Sequence, residues 1–177
     1  MPWRPEDWNE WPVERWVAAF RDDAAMRAVR EILLRLPERE RQTVLELTRG
    51  PSAWATFLEA RFARRVEVDL TTSRVPELPG GFEVVLAVDT IGVGGLDPLL
   101  PRMHAALVEG GVLLATLAAS RAGAAHQSMI GPASGPGIHE VELQYRLRRA
   151  GFQGLRLRRF RSDDDTLLCM AVRRALN

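Results

Sequence analysis

The sequence predicts an α/β fold with a mostly parallel sheet, and three observations carry that prediction. Between Thr43 and Leu70 the run TVLELTRGPSAWATFLEARFARRVEVDL passes from an aliphatic strand through a loop and a helix to a second strand. That pattern is a crossover between parallel neighbours. The run Phe82–Val88 is apolar almost throughout, as a strand covered on both faces should be. Phe152–Phe160 alternates around Leu155 and Leu157, and the polar turn Ser162–Asp165 leads into Thr166–Arg173, so the chain closes on a hairpin whose last strand runs antiparallel.

Composition sets the outer limits. A chain of 177 residues with 46% hydrophobic content and net charge +1 supports one domain with a sizeable core plus an extension. Every basic side chain other than His is Arg, a bias that fits a GC-rich bacterial coding sequence better than a chemical need. The single Cys169 excludes an intrachain disulfide and a cysteine-based zinc site. Its apolar surroundings, Leu167–Val172, mark a buried thiol rather than a nucleophile. The three His residues show no ligand spacing, so no metal is expected. The N-terminus lacks the apolar core of a signal peptide, and no apolar run approaches the ~20 residues of a membrane span. A cytoplasmic protein without a membrane partner is expected.

Residues 1–38 read as a helical extension preceding an α/β domain of residues 39–177. Trp3, Trp8, Trp11 and Trp16 fall within its first sixteen residues. Pro12 suits the first turn of a helix presenting Val13, Trp16, Val17 and Phe20. Asp22 or Asp23 can cap a second helix, which carries Met26, Val29, Ile32, Leu33 and Leu36 and is closed by Pro37. The extension either packs its aromatics over the sheet or cleft, or docks a protein partner or a second subunit, because Trp is enriched in interface hot spots.

In the crossover, Arg49, Gly50 and Pro51 break the first strand's pattern, and Ser52 suits an N-cap. Trp54, Phe57, Leu58 and Phe62 follow at helical spacing, and Val66 and Val68 alternate toward Asp69. Pro76, Pro79, Gly80 and Gly81 mark a loop into Phe82–Val88, which ends at Asp89 and Thr90. The glycines of Ile91–Gly95 read as a flexible turn. Asp97 and Pro98 read as the cap and first residue of a helix with Leu99, Leu100, Met103 and Leu107 inward, ended by Gly110 and Gly111. His104 lies within it as a packing or surface residue. Val112–Leu117 is the next strand. Glu140–Ala150 reads as an amphipathic helix with Val141, Leu147 and Ala150 inward, capped by Gly151.

These pieces resemble the class I S-adenosylmethionine-dependent methyltransferases, whose cofactor-binding start runs strand, acidic residue, then three alternating glycines. Glu46-Leu47 matches the acidic start and Gly50 the middle glycine, while Thr48 and Ser52 stand at the outer two. Downstream, FEVVLAVD, PLLPRMHAALVEGGVLLATL and ELQYRLRRAGF resemble the fourth strand, the helix with the fifth strand, and the last helix. The likeness covers roughly residues 40–175. It implies a Rossmann-like methyltransferase sheet, mostly parallel with an antiparallel last strand. It also implies S-adenosylmethionine as cofactor, touched by Glu46, Thr48, Gly50, Ser52 and Asp69, with Asp69 holding the ribose and Asp89 near the transferring methyl.

Two departures bear on that cofactor. Thr48 and Pro51 crowd the loop and remove one amide from it. Only a dozen residues separate Asp69 from Phe82, where the family fits a helix and an edge strand. Residues 120–138, rich in Gly, Pro and small residues, form a loop too long for mere connection, which in the family helps build the acceptor pocket. His126 within it and His139 beyond it are candidate proton acceptors, weighed against a solvated role for each. Nine arginines crowd residues 140–177 against five acids, but much of that charge lies on polar faces, and nucleic-acid binding is not expected. Two readings stay open: a methyltransferase acting on a small-molecule acceptor, or a methyltransferase-fold protein that has lost the cofactor and serves as a binding or scaffolding subunit. An NAD-linked oxidoreductase needs glycines that are absent.

Overall fold

A computed structural model describes residues 24–38, 42–71, 74–120, 137–160 and 166–174. Among the described residues four helices and six strands follow in order: α1 (Ala24–Arg35), β1 (Thr43–Thr48), α2 (Ala55–Arg61), β2 (Arg64–Asp69), β3 (Phe82–Val88), α3 (Val93–Ala106), β4 (Leu107–Ala118), α4 (Glu140–Arg149), β5 (Phe152–Phe160) and β6 (Thr166–Arg173). The strands form one sheet in the order β2-β1-β3-β4-β6-β5. The first four are mutually parallel, while β6 runs antiparallel to both β4 and β5. Both the α/β class and the antiparallel last strand are therefore as the sequence predicts.

Alternation along the strands splits the core into two layers. Leu45, Leu47, Val85, Ala87, Leu113 and Ala115 face α3 and α4, where Leu96, Leu100, Met103, Leu143 and Leu147 meet them. Val44, Val84, Leu86 and Leu114 face the opposite side, covered by Met26, Val29 and Leu33 of α1 and by Trp54, Phe57 and Leu58. The expected inward face of the helix at 24–36 is thus observed against the sheet. Trp3, Trp8, Trp11, Trp16 and the helix expected from Pro12 lie outside the described residues, as do the caps Asp22 and Asp23 and the turn Ser162–Asp165. Between Leu70 and Gly81 no further strand occurs among the described residues, and β2 stands at the edge.

Five local expectations are corrected. The helix after Ser52 is capped by Trp54, not Ser52; the Ser52 hydroxyl accepts the Trp54 N–H at 3.0 Å from just outside the helix. The glycines of Ile91–Gly95 are not a turn, because α3 starts at Val93 with Gly92 as its N-cap, and Gly95 N–H closes the first turn onto the Gly92 carbonyl. Asp97 and Pro98 consequently lie inside α3 with Pro101, and Pro98, the sixth residue of the helix, leaves the Gly94 carbonyl without its i−4 donor. Gly110 and Gly111 do not end that helix. It stops at Ala106, Leu107 already pairs with Phe82, and the glycines form an excursion in β4 before Val112 pairs with Val84. Gly110 has φ +77°, which suits such a turn. In α4, Leu143 and Leu147 are the buried pair, and Val141, two residues away and so nearly opposite, is 67% exposed.

Candidate functional site

In parallel sheets the carboxyl ends of the strands gather on one rim, where ligands bind. Here that rim carries Thr48, Asp69 and Asp89, followed by the loop Arg49–Ala53 and by Thr90. A cavity of about 140 Å³ lies between the loop and the end of β3, walled by Pro51, Trp54, Leu86 and Val88 with Arg49 and Thr90 at its polar side.

The loop is held from beneath by Glu46, which is only 3% exposed. One carboxylate oxygen accepts the Ser52 hydroxyl at 2.5 Å and the other accepts Arg65 Nε at 2.8 Å. Arg65 also pairs with Glu67 at 2.5 Å and with Glu59 at 3.3 Å. Burial pushes the Glu46 carboxyl above its ordinary range, countered in part by the Ser52 hydroxyl and the Arg65 guanidinium. Thr48 directs its hydroxyl to Glu67 at 3.1 Å, so its side chain joins this network on β2. Glu46, Ser52 and Thr48 thus shape the loop through its side chains.

Asp69 stands exposed at the end of β2 beside that loop. Its Oδ1 accepts the Thr71 amide at 2.9 Å and the Gly50 amide at 3.3 Å, and these two bonds hold its pKa below the ordinary value. Gly50 has φ +80° with open space where a Cβ would project. Only glycine takes this conformation without strain, and the backbone is open to close approach.

Across the cavity, Asp89 is a non-glycine residue at φ +50°. Thr116, fully buried on β4, fastens it: the Asp89 amide donates to Thr116 Oγ1 at 3.0 Å, and that hydroxyl donates to Asp89 Oδ1 at 2.9 Å. A strained residue so held is a mark of functional sites. Arg49 bridges the two sides, its Nε donating to the Thr90 carbonyl at 2.5 Å. The Thr90 hydroxyl is buried and finds no partner among the described residues.

The structure therefore brings Glu46, Thr48, Gly50, Ser52, Asp69 and Asp89 to one rim. His139 serves elsewhere as the N-cap of α4, its Nδ1 accepting the Val141 amide at 3.3 Å. That bond occupies Nδ1. His126 lies outside the described residues. His104 packs edge-on against Phe152 at 5.1 Å, with its pKa lowered by burial and by Arg173. Cys169 is buried, which raises its thiol pKa to about 12. No cluster of three or more metal-ligating side chains occurs among the described residues, and no described helix is long and apolar enough to cross a membrane.

Sequence reasoning missed Arg49, Arg65, Thr90 and Thr116. The charged alternation Arg65, Glu67, Asp69 beside inward Val66 and Val68 is the signal that points to Arg65, since those charges share a face with Glu46. Thr116 sits in an apolar strand where nothing local marks it.

The features of this rim fit an adenosyl amino acid at three points: an exposed carboxylate at the end of β2 for a diol, an open glycine beside it, and a buried, unpartnered hydroxyl in the cavity wall. The cavity itself is smaller than the roughly 300–1,000 Å³ of a whole-ligand pocket. It takes an amino-acid-sized fragment, with Asp69 outside it.

The chain has the fold of the class I S-adenosylmethionine-dependent methyltransferases. The 1,6-didemethyltoxoflavin-N1-methyltransferase of Burkholderia thailandensis, solved with 1,6-didemethyltoxoflavin and S-adenosylhomocysteine, is similar at TM-score 0.56 and 19% identity, over 99% of this chain and 92% of that one. A candidate methyltransferase from Bacillus halodurans C-125 is similar at TM-score 0.61 and 12% identity, over 84% and 98%. The phosphoethanolamine N-methyltransferase 2 of Haemonchus contortus is similar at TM-score 0.55 and 13% identity, over 76% of this chain. The chain spans 49% of that enzyme's length, and 56% and 64% of two further matching structures. No protein-family model and no curated protein matches the sequence.

Proposed function

We propose that the protein binds S-adenosylmethionine and directs methyl transfer to a small-molecule acceptor. The observation that carries this reading is the pairing of Asp69 with Gly50: an exposed carboxylate at the end of β2, anchored by the amide of an open, positive-φ glycine at the end of β1. Asp69 would hold the ribose hydroxyls, Gly50 would let the backbone approach, and the cavity beside Thr90 would take the amino-acid end. Asp89 would line the transfer point, oriented by Thr116.

When bound, the cofactor supplies an electrophilic methyl group on a sulfonium sulfur. The chain's own part is to align the acceptor with that methyl and exclude water, and such positioning can supply much of the rate. The roles of His126 and His139 as proton acceptors remain proposals; for His139 the cap at Val141 weighs against one.

The test is calorimetric titration with S-adenosylmethionine and S-adenosylhomocysteine. Micromolar binding, about −8 kcal/mol, is the expected result. No detectable binding at millimolar ligand would overturn it.

A second reading has its own support. Glu46 is fully engaged with Ser52 and Arg65, and the Arg49 link to Thr90 spans the cavity, as in a loop kept for structure. On that reading the protein is a methyltransferase-fold scaffold whose Trp-rich N-terminus meets a protein partner or a second copy. A titration without heat, together with a pull-down that depends on residues 1–38, would favour it.

A further inference from the structure

The sheet face that receives α1 is unevenly covered. α1 packs against β6, while α4 meets β5 from the opposite face. Register places Arg156 beside Met170 and Arg158 beside Leu168, and alternation puts these four on the α1 side with Phe160 and Val172. Phe160, Met170 and Val172 are half-buried, whereas Arg156 and Arg158 are exposed. The Arg158 guanidinium lies over the Phe160 ring at 4.8 Å. Neither arginine has an acidic partner among the described residues. Such a surface, apolar at its base and cationic at its rim, fits a cover that is aromatic and acidic.

The chain carries a segment of that chemistry where it enters α1. Residues 1–23 hold six acids against three arginines, and Val13, Trp16, Val17 and Phe20 recur at helical spacing, with Glu10 and Glu14 bracketing the start of that set. The segment runs directly into Ala24, the first residue of α1, and the next two residues, Ala25 and Met26, are buried. β5 lies one strand spacing, about 4.8 Å, beyond β6. A helical segment of this length spans about 35 Å, so reach is no obstacle. The exposed pair Val141 and Tyr145 belongs to α4 on the far side of the sheet, away from this entry. We propose that residues 1–23 dock on the β5–β6 face of their own chain, laying Trp16 and Phe20 over Phe160, Met170 and Val172, with Glu10 and Glu14 set against Arg156 and Arg158. This stands apart from the cofactor reading, and a segment held this way is not free to meet a protein partner.

The experiment is amide hydrogen exchange over residues 13–21, read on the full chain. It compares wild type, Arg156→Glu with Arg158→Glu, that variant with Glu10→Arg and Glu14→Arg added, and Val141→Ser with Tyr145→Ser. Thermal melting checks that each variant folds, and light scattering gives the mass at each concentration. The wild-type amides are expected to be protected at the mass of a monomer. Reversal of the two arginines is expected to speed their exchange about tenfold, the effect of turning two exposed ion pairs repulsive. Adding the two glutamate reversals is expected to restore protection. The variant on α4 is expected to exchange as wild type does.

Unprotected wild-type amides would overturn the docking. So would protection that the arginine reversal leaves unchanged, which a helix formed without the sheet would show, or a charge-restored variant that still exchanges as fast as the reversal. Protection found only at the mass of a dimer would put the segment on a second copy and overturn the same-chain contact. Protection lost in the Val141 and Tyr145 variant would overturn the choice of face and move the contact to α4.

Discussion

Thr116 grips Asp89 twice, accepting its amide and donating to its carboxylate through the same hydroxyl. A β4 residue thereby helps hold the end of β3 at φ +50°, beside the backbone bond from the Asp89 amide to the Thr116 carbonyl at 3.3 Å. Holding a non-glycine residue there costs on the order of 1–2 kcal/mol. Thr116→Val keeps the shape and removes both bonds. It is expected to lower stability by about 1–3 kcal/mol, read from urea unfolding, and to weaken cofactor binding more than a surface variant of equal stability does.

Arg65 and Glu46 form a largely buried pair, with side-chain exposures of 12% and 4%. Arg65→Met strands the carboxylate and is expected to cost about 3–5 kcal/mol at pH 8. Arg65→Met combined with Glu46→Gln should recover a large part of that loss. Urea midpoints of the single and double variants decide the matter.

The same carboxylate gives stability a pH signature. Burial raises its folded pKa above the ordinary 4.5, so the folded chain holds a proton that the unfolded chain releases. The resulting stabilisation is fully present below about pH 4.5 and is lost as pH rises through the folded pKa. Glu46→Gln titrates nothing there. The difference in midpoint between wild type and variant should therefore grow across that window and level off above it. A constant difference from pH 4 to pH 8 would contradict the assignment.

Asp69 carries the cofactor reading. Asp69→Ala is expected to weaken S-adenosylhomocysteine binding by more than tenfold, and Asp69→Asn by less, because an amide oxygen can still receive Gly50 and Thr71. Since those amides hold its pKa below the ordinary 3.8, wild-type affinity should change little from pH 7 to pH 5 on this residue's account. Unchanged affinity in Asp69→Ala would remove it from the site.

Gly137 lies against β4, where Ala119 and Ile138 form a parallel bridge. A Cβ on Gly137 would sit 2.1 Å from the Ala119 backbone. Gly137→Ala is expected to break that bridge and lower the melting temperature, while Gly80→Ala, whose nearest contact is 3.9 Å away, should not. Differential scanning fluorimetry of the two separates them.

The frame of this fold was legible because periodicity reports burial directly. Phe82–Val88 reads as a doubly covered strand, and it is one; in the final hairpin the edge strand β5 alternates, whereas β6 is covered on both faces, by Leu167, Cys169 and Ala171 on one and Leu168 on the other. The errors share a cause. Gly92, Pro98, Gly110 and Gly111 look like punctuation in isolation, but pairing of Leu107 with Phe82 and the cap at Gly92 come from distant partners. Val141 was misread because apolar character alone does not tell which of two offsets faces the sheet. At the site, Glu46, Gly50, Asp69 and Asp89 stand at strand ends that the pattern locates. Thr116 and Arg65 act through register between strands, which a single sequence does not display.

Because β2 closes the sheet, its outer edge offers backbone groups that a stray strand could join. Its residues argue against such growth: Arg64, Glu67 and Asp69 are exposed, and only Val66 and Val68 are apolar and half-buried. Charged edges of this kind resist edge-to-edge association. The sheet can therefore end at β2 without becoming prone to aggregation, and neutralising Arg64, Glu67 and Asp69 together should expose that hazard as concentration-dependent precipitation.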